Sequence, residues 1–342
     1  MVSKEFKRPP YTITSEILGL VAAIGEAVGH LSTLSDASKA LLLRRINRIR
    51  TIRGSLAIEG NTLTEEQMTA ILDGKRVIAD PREIREVRNA KEAYERLGGW
   101  RMEAEADLLE AHRVFMEGLI EEAGVYRRGG VGVMAGERVV HMAPQANRVP
   151  KLMGDLFRYL ASGKDHPLVS GSVFHYELEF IHPFADGNGR IGRFWQTLIL
   201  TRWNPAFANI PVESLIHERQ EQYYDALQES TRQTDSAPFI AFMLQAILEA
   251  VKAAAPQVTP QVTPQVERAL KAIKGEMTRD GLQRTLGLRD RKSFRRRYLD
   301  PALAGGLIEM TIPDRPTSRL QRYRLTERGL RWLQQRETNE GR

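Results

Sequence analysis

Apolar positions recur at helical spacing over most of residues 12–250. Segments such as ASKALLLRRINRIR (37–50) and PFIAFMLQAILEAVKAA (238–254) carry that pattern without an internal proline, which predicts helices. One stretch departs from it. In VYRRGGVGVMAGERVVHMAP (125–144), short β-branched runs flank Ala135-Gly136, predicting a hairpin with a tight turn. Helical spacing then continues to a proline-punctuated repeat, PQVTPQVTPQV (256–266). Proline removes donors and fixes φ, so this is expected to be a stiff, extended linker and a domain boundary.

Beyond the linker, VERALKAIK predicts an amphipathic helix. Thr278 is placed to N-cap a short helix ending at LGL, and Asp290 to N-cap DRKSFRRRYLDPALAGGL. LIEMTI (307–312) and QRYRLT (321–326) then predict two strands joined by a polar loop. Three helices followed by a two-stranded wing is the winged helix-turn-helix order, with Arg291, Lys292, Arg295, Arg296 and Arg297 presented near a groove. The same arginines also suit a solvated helix face, and such modules also dock proteins.

Charge sharpens this division. Residues 261–342 hold 19 Lys+Arg against 10 Asp+Glu, a net of +9, whereas the first 260 hold 31 against 33, a net of −2. A near-neutral body with a basic tail points to an acidic partner for the tail, nucleic acid being the usual one. The chain of 342 residues is 42% hydrophobic, enough for an ordinary core. It has no cysteine, so disulfides and thiolate metal sites are excluded. MVSKEFKRPPYT has no signal-like apolar run, and no uninterrupted apolar stretch approaches the roughly 18 residues that span a bilayer. The expectation is a cytoplasmic protein without a membrane partner.

Candidate chemistry concentrates in IHPFADGNGRIGRF (181–194). Gly187-Asn188-Gly189 lets backbone N–H groups approach a ligand, and the helix that follows presents its positive end there. Arg190 and Arg193 lie at i and i+3 and can grip separate phosphates. Asp186 is a hard oxygen ligand suited to Mg²⁺ among phosphates. His182 can accept a proton near neutrality. Alone, a histidine before proline is more often structural and a glycine turn is only a turn. Together within twelve residues they suggest in-line attack on a nucleoside triphosphate, with His182 activating a hydroxyl.

A second anomaly is SLAIEGN (55–61). A helix must end near Gly60-Asn61, and Thr64 with Gln67 opens the next through a capping box. Glu59 then opposes the dipole of its own helix, by ~0.3–1 kcal/mol, with Ser55 one turn back on the same face. Such an acid either has a cationic partner elsewhere or is exposed and tolerated; composition alone favours the second.

HPFADGNGRIGR resembles the signature of Fic proteins, His-x-Phe-x-(Asp/Glu)-Gly-Asn-(Gly/Lys)-Arg-x-x-Arg, at every position from His182 to Arg193. The resemblance extends to GVYRRGGVGV, VPKLMGDL and their helical surroundings, roughly residues 40–250. It implies a mainly α fold: a Fic-type helical core with a β-hairpin flap, plus a C-terminal winged helix-turn-helix domain. The implied segments are an N-terminal helical region (1–105), a catalytic core (106–250), a linker (251–265) and a winged helix (266–342). The implied activity is protein adenylylation. His182 would deprotonate a Ser, Thr or Tyr hydroxyl of a target protein, which attacks the α-phosphate of ATP. Phe184 would anchor the loop, Asp186 would hold Mg²⁺, Gly187, Asn188 and Gly189 would form the anion hole, and Arg190 and Arg193 would bind the β- and γ-phosphates. Relatives that phosphorylate, such as the Doc toxins, tend to carry Lys where this chain has Gly189, which favours adenylylation.

SLAIEGN also resembles the inhibitory motif (Ser/Thr)-x-x-x-Glu-(Gly/Asn) of Fic proteins. The implied partner of Glu59 is Arg193, with Ser55 helping to hold the helix. Tyr223 and Tyr224 resemble residues lining the adenine end of related sites, yet adjacent helical residues cannot both face one pocket, and ordinary half-buried tyrosines are the alternative. The edge at Val131, Gly132 and Val133 is placed to pair with an extended target segment. Removal of AMP at the same site and a nucleotide-sensing DNA-binding regulator are the rival functions. Self-modification, DNA and a second copy of the chain stand open as partners.

Overall fold

The computed structural model describes residues 7–31, 37–130, 132–135, 138–254, 264–288, 290–312, 318–327 and 329–333. The chain forms two compact units, 1–254 and 255–342. In the first, helices α1 (Ser15–Leu31), α2 (Ala37–Ile58), α3 (Glu65–Leu72), α4 (Pro81–Glu95) and α5 (Glu105–Met116) precede a hairpin of β1 (Gly132–Ala135) and β2 (Arg138–Met142). Then follow α6 (Val149–Ala161), α7 (Pro167–Ile181), α8 (Asn188–Trp203), α9 (Val212–Glu218), α10 (Gln220–Gln233) and α11 (Ala237–Ala254).

The centre of this unit is α8, buried from Arg190 to Leu200. Phe194 is its hub: Tyr94, Phe115 and Trp100 meet its ring edge-to-face at 5.1, 5.1 and 5.5 Å. A helix buried on all sides is unusual for a sequence that carries Arg190 and Arg193. Buried charges need partners, and the surrounding helices supply them. The regions 1–105 and 106–250 share one hydrophobic core, so no physical boundary falls at residue 105. Helix α11 has the length and apolarity of a membrane span; here it packs against α1, α7 and α10 and buries Phe239, Ile240, Leu244 and Ile247.

Several local expectations reappear. Helix α2 ends at Ile58, with Gly60 at φ 91° and Asn61 N–H donating to Leu56 O at 3.1 Å. Thr64 and Gln67 form the capping box of α3. Strands β1 and β2 pair antiparallel, with a register irregularity between Val133 and Met134; Val131 and Gly136 of the expected flap lie outside the described residues. The expected linker, 251–265, is shortened: the alanine-rich end of α11 stays helical to Ala254, and Pro264 opens the next helix. Residues 255–263 between them lie outside the described residues.

The second unit has its own core around Leu270, Leu282, Phe294 and Tyr323. Helices α12 (Pro264–Ala272) and α13 (Arg279–Thr285) lead to α14 (Arg291–Phe294), a π turn at Arg295–Leu299 and α15 (Asp300–Ala304). Thr278 and Asp290 cap α13 and α14. The π turn precedes Pro301, which has no N–H for the regular helical bond. The sheet has three strands rather than the expected two: β3 (Met277–Thr278) pairs with β5 (Arg322–Leu325), which also pairs with β4 (Ile308–Met310). Two residues are too few to show alternation, which is why β3 escapes the sequence pattern.

Close approach fixes the helix that carries Glu59. At Gly54 on α2, an added Cβ would stand 2.6 Å from the backbone of Glu213 and Ser214 on α9, and Ser214 Oγ donates to Arg50 O at 3.0 Å. Alanine favours helices by about 1 kcal/mol over glycine, but backbone at that distance cannot yield, and overpacking costs about 1–3 kcal/mol. Gly54→Ala is therefore expected to lower unfolding stability, measured by denaturant titration, despite its better helix propensity.

Candidate active site

The loop between α7 and α8 is held open by side chains from four directions. His182 ends α7 in the left-handed region, φ 50° and ψ 61°, with its N–H on Leu178 O at 2.8 Å. That conformation is uncommon outside glycine and turns the chain sharply at the residue with the candidate chemistry. Phe184 is fully buried and stacks on His112 at 3.7 Å. Asn188 clamps the turn from inside: its Oδ1 accepts from Phe184 N–H at 2.9 Å and its Nδ2 donates to Phe184 O at 3.0 Å. Gly187, at φ 83°, opens α8. The first N–H groups of a helix have no partner within it, so the loop is built for an anion.

Two residues outside the signature complete the support. The buried Arg127 guanidinium donates to the carbonyls of His182 (2.7 Å), Ile181 (3.2 Å), Gly129 (2.7 Å) and Pro144 (2.5 Å), while its backbone N–H reaches Pro183 O at 2.9 Å. It thereby ties both ends of the hairpin segment to the loop. His112 accepts from Gly124 N–H through Nδ1 at 2.8 Å, so the proton on Nε2 donates to Asp186 O at 2.9 Å. Burial lowers its pKa to about 4, and the ring stays neutral. His112 is a buried core residue that also fixes the loop.

The charged groups form two sets. Asp186 accepts from Gly187 N–H at 2.6 Å and from Arg190 at 3.1 Å, and Arg82 on α4 lies 3.4 Å away. Arg190, 3% exposed, also pairs with Glu86 at 3.3 Å. Glu86 in turn accepts from Asn61 at 2.9 Å, joining the end of α2 to the loop. In the second set, Arg193 donates to Glu59 Oε1 at 2.6 Å, to Ser55 O at 3.1 Å and to Ser55 Oγ at 3.3 Å. Burial works against the charge on Arg193, but Glu59 beside it, together with Tyr223 and Glu179, more than compensates, and the pKa is raised. Glu59 is thus not the exposed, tolerated acid that composition alone favours. Its helix end is held as well by Gln220, which donates to Ile58 O at 2.9 Å. A Cβ at Gly189 would collide with the Glu59 carboxylate, so this glycine also makes room for the docked acid.

The tyrosines divide sharply. Tyr223 is 1% exposed and its hydroxyl lies 3.1 Å from His175 Nε2 and 3.3 Å from Glu179 Oε1. It points into the core, contrary to the expectation that it lines a nucleotide site. Tyr224, partly exposed, lies 3.4 Å from Gln220. Gly132 and Val133 lie on β1, whose strand partner is β2.

A crystal structure of a Fic family protein from Desulfovibrio desulfuricans G20 is 53% identical, with a TM-score of 0.70, and the match covers 94% of this chain and 99% of that one. The chain belongs to the Fic family. Residues 103–200 match the Fic/DOC family, and residues 264–326 match the C-terminal domain of filamentation induced by cAMP protein Fic-like. The protein adenylyltransferase Fic of Aedes aegypti is 30% identical over 229 residues, 62% of this chain and 43% of that protein. That of Nematostella vectensis is 32% identical over 201 residues, 55% and 44% respectively. This Fic chain therefore spans less than half the length of these two relatives. Fic-1 (aa134–508) of C. elegans, 24% identical with a TM-score of 0.60 over 70% of this chain and 71% of that one, shares the fold.

Arg127 is the strongest structural support that sequence reading missed. Losing it leaves buried carbonyls unpaired, at about 1–3 kcal/mol each for those that water cannot reach. Arg127→Met is expected to cost about 3 kcal/mol or more by denaturant unfolding. Arg128→Met, at the exposed neighbouring position, is expected to leave stability within about 0.5 kcal/mol of the parent.

Proposed function

We propose that this Fic chain transfers AMP from ATP to a hydroxyl of a target protein, and that Glu59 restrains it. The observation that carries the reading is the 2.6 Å contact of Glu59 with Arg193, in a loop whose backbone is otherwise open to an anion. His182 takes the proton of the Ser, Thr or Tyr hydroxyl. The hydroxyl oxygen bonds to the α-phosphorus, the bond from that phosphorus to the bridging oxygen breaks, and pyrophosphate leaves with that electron pair. The N–H groups at the start of α8 stabilise charge on the phosphoryl oxygens. Arg190 and Arg193 hold the outer phosphates once their acids yield.

Mg²⁺ fits this donor set. Among the described residues no three metal-binding side chains cluster, but Mg²⁺ is commonly held by one carboxylate together with substrate phosphates and water. Asp186 would be that carboxylate, and the ion would neutralise charge on the phosphates. The β1 edge at Gly132 and Val133 is suited to receive an extended target segment.

Glu59 occupies the guanidinium that a terminal phosphate needs, so ATP and the acid compete for Arg193. Coupling of this kind is typically worth about 1–3 kcal/mol, roughly 5- to 150-fold. With α-labelled ATP and candidate targets from a lysate, Glu59→Gly is expected to label protein about tenfold or more above the parent. Adding His182→Ala should abolish the label. Equal labelling by folded parent and Glu59→Gly contradicts restraint, and AMP release from pre-labelled protein by the parent would favour the reverse reaction.

We infer further that the C-terminal unit is a winged helix that binds duplex DNA. Arg291, Lys292, Arg295, Arg296 and Arg297 are all exposed, and the helix bearing them follows two others and precedes the β4–β5 wing. Binding should weaken steeply with salt. Arg296→Glu with Arg297→Glu should reduce affinity and flatten the salt slope by about 2. No binding at low salt, or binding untouched by both changes, contradicts it.

A further inference from the structure

Beside Arg193 lies a buried acid that the transfer reaction does not use. Glu179 is 9% exposed and sits on α7, three residues before His182. It faces α8 at Gly192, where an added Cβ would stand 3.5 Å from Glu179 Oε1 and 2.7 Å from the His175 ring. Glycine there lets the acid and the imidazole press against the helix one residue before Arg193. The ionisable groups facing Glu179 are His175 on its own helix at 3.8 Å, Tyr223 with Tyr224 on α10, Arg193 on α8, and Glu59 beyond the end of α2.

Hydrogen-bond directions assign its proton. Ser172 Oγ donates to Leu168 O at 2.8 Å and accepts from Gln196 Nε2 at 3.3 Å. Gln196 Oε1 therefore accepts from His175 Nδ1 at 2.7 Å. Burial lowers the His175 pKa to about 3, so the ring is neutral and its Nε2 must accept, from the Tyr223 hydroxyl at 3.1 Å. Tyr223 has one proton. Its oxygen can meet Glu179 Oε1 at 3.3 Å only by accepting, which requires a protonated Glu179. If Glu179 ionised, Tyr223 would turn to it and leave His175 Nε2 buried without a donor.

Electrostatics agree. Burial raises the Glu179 pKa to about 7, Arg193 opposes the rise and Glu59 adds to it. While Glu59 is docked, Arg193 already has a carboxylate at 2.6 Å. Once Glu59 leaves, a guanidinium 2% exposed would lack that anion until a phosphate arrives. We propose that Glu179 is a proton-switched positioning residue for Arg193: neutral and joined to the Tyr223–His175 chain while Glu59 is docked, ionised and compensating Arg193 when Glu59 is gone.

The inference rests on Glu59 acting as the restraint. Docking raises the affinity of Glu179 for its proton, so the docked state binds more protons and is favoured at low pH. As pH rises through about 7, Glu179 ionises even when docked, and restraint weakens.

The test is the labelling rate of Glu59→Gly divided by that of the parent, followed from about pH 6 to about pH 8. Changes intrinsic to chemistry cancel in this ratio. It is expected to fall several-fold with rising pH, by up to about tenfold per unit of separation between the docked and released pKa values. Glu179→Gln, permanently neutral, should hold the ratio flat at its low-pH level. Tyr223→Phe, which removes the hydroxyl that accepts the Glu179 proton, should move the fall to lower pH and serves if the first variant does not fold. A parent ratio independent of pH, or an unchanged fall in Glu179→Gln, overturns the inference and leaves restraint standing. A ratio of one at every pH overturns both.

Discussion

A buried arginine sets the constraint on which the rest of this structure depends. Arg193 lies in the middle of a helix enclosed by aromatic and aliphatic side chains, and its charge survives only with an anion against it. Glu59 supplies that anion from the end of a different helix, where the carboxylate opposes its own dipole. Each group is poorly placed alone, and the contact corrects both. A polyphosphate can make the same correction for Arg193, so in the proposed reaction one guanidinium would serve both a structural ion pair and the nucleotide.

The architecture follows from holding that contact and the loop beside it. Gly54 allows α2 to lie directly on α9, and Gln220 and Asn61 fix its end. Glu86 and Arg82 bracket the loop from α4, and Arg127 secures it from the hairpin segment. Arg190 is engaged twice over by acids while Arg193 depends on Glu59 for its carboxylate contact. The second acid, Glu179, lies close enough to act on Arg193 electrostatically while bonded elsewhere. The design keeps the loop assembled and holds Arg193 against an acid.

Legibility in the sequence followed the range of the interactions. The loop from His182 to Arg193 is contiguous, and helix caps at Thr64, Thr278 and Asp290 bond within three residues, so local chemistry reveals them. Glu59 was visible only as an anomaly, and its partner came from resemblance, because 134 residues separate the two. Arg127 looks no different in sequence from exposed Arg128 beside it, and His112 reads as one more core position. Tyr223 shows the reverse error: resemblance to residues of related sites suggested a ligand, whereas Tyr223 closes a buried hydrogen-bond chain with His175. Strand β3 is too short to carry a period.

The central claim is that Glu59 and a terminal phosphate compete for one guanidinium. Crystal structures of the parent and of Glu59→Gly with a non-hydrolysable ATP analogue and Mg²⁺ test it most directly. The account predicts that in the variant Arg193 grips the terminal phosphate and the α-phosphorus comes within reach of a hydroxyl held by His182. In the parent, Arg193 should stay on Glu59 and the α-phosphorus should lie out of line. Identical nucleotide poses in both, with Arg193 on Glu59 in the parent and on no phosphate in the variant, would contradict it.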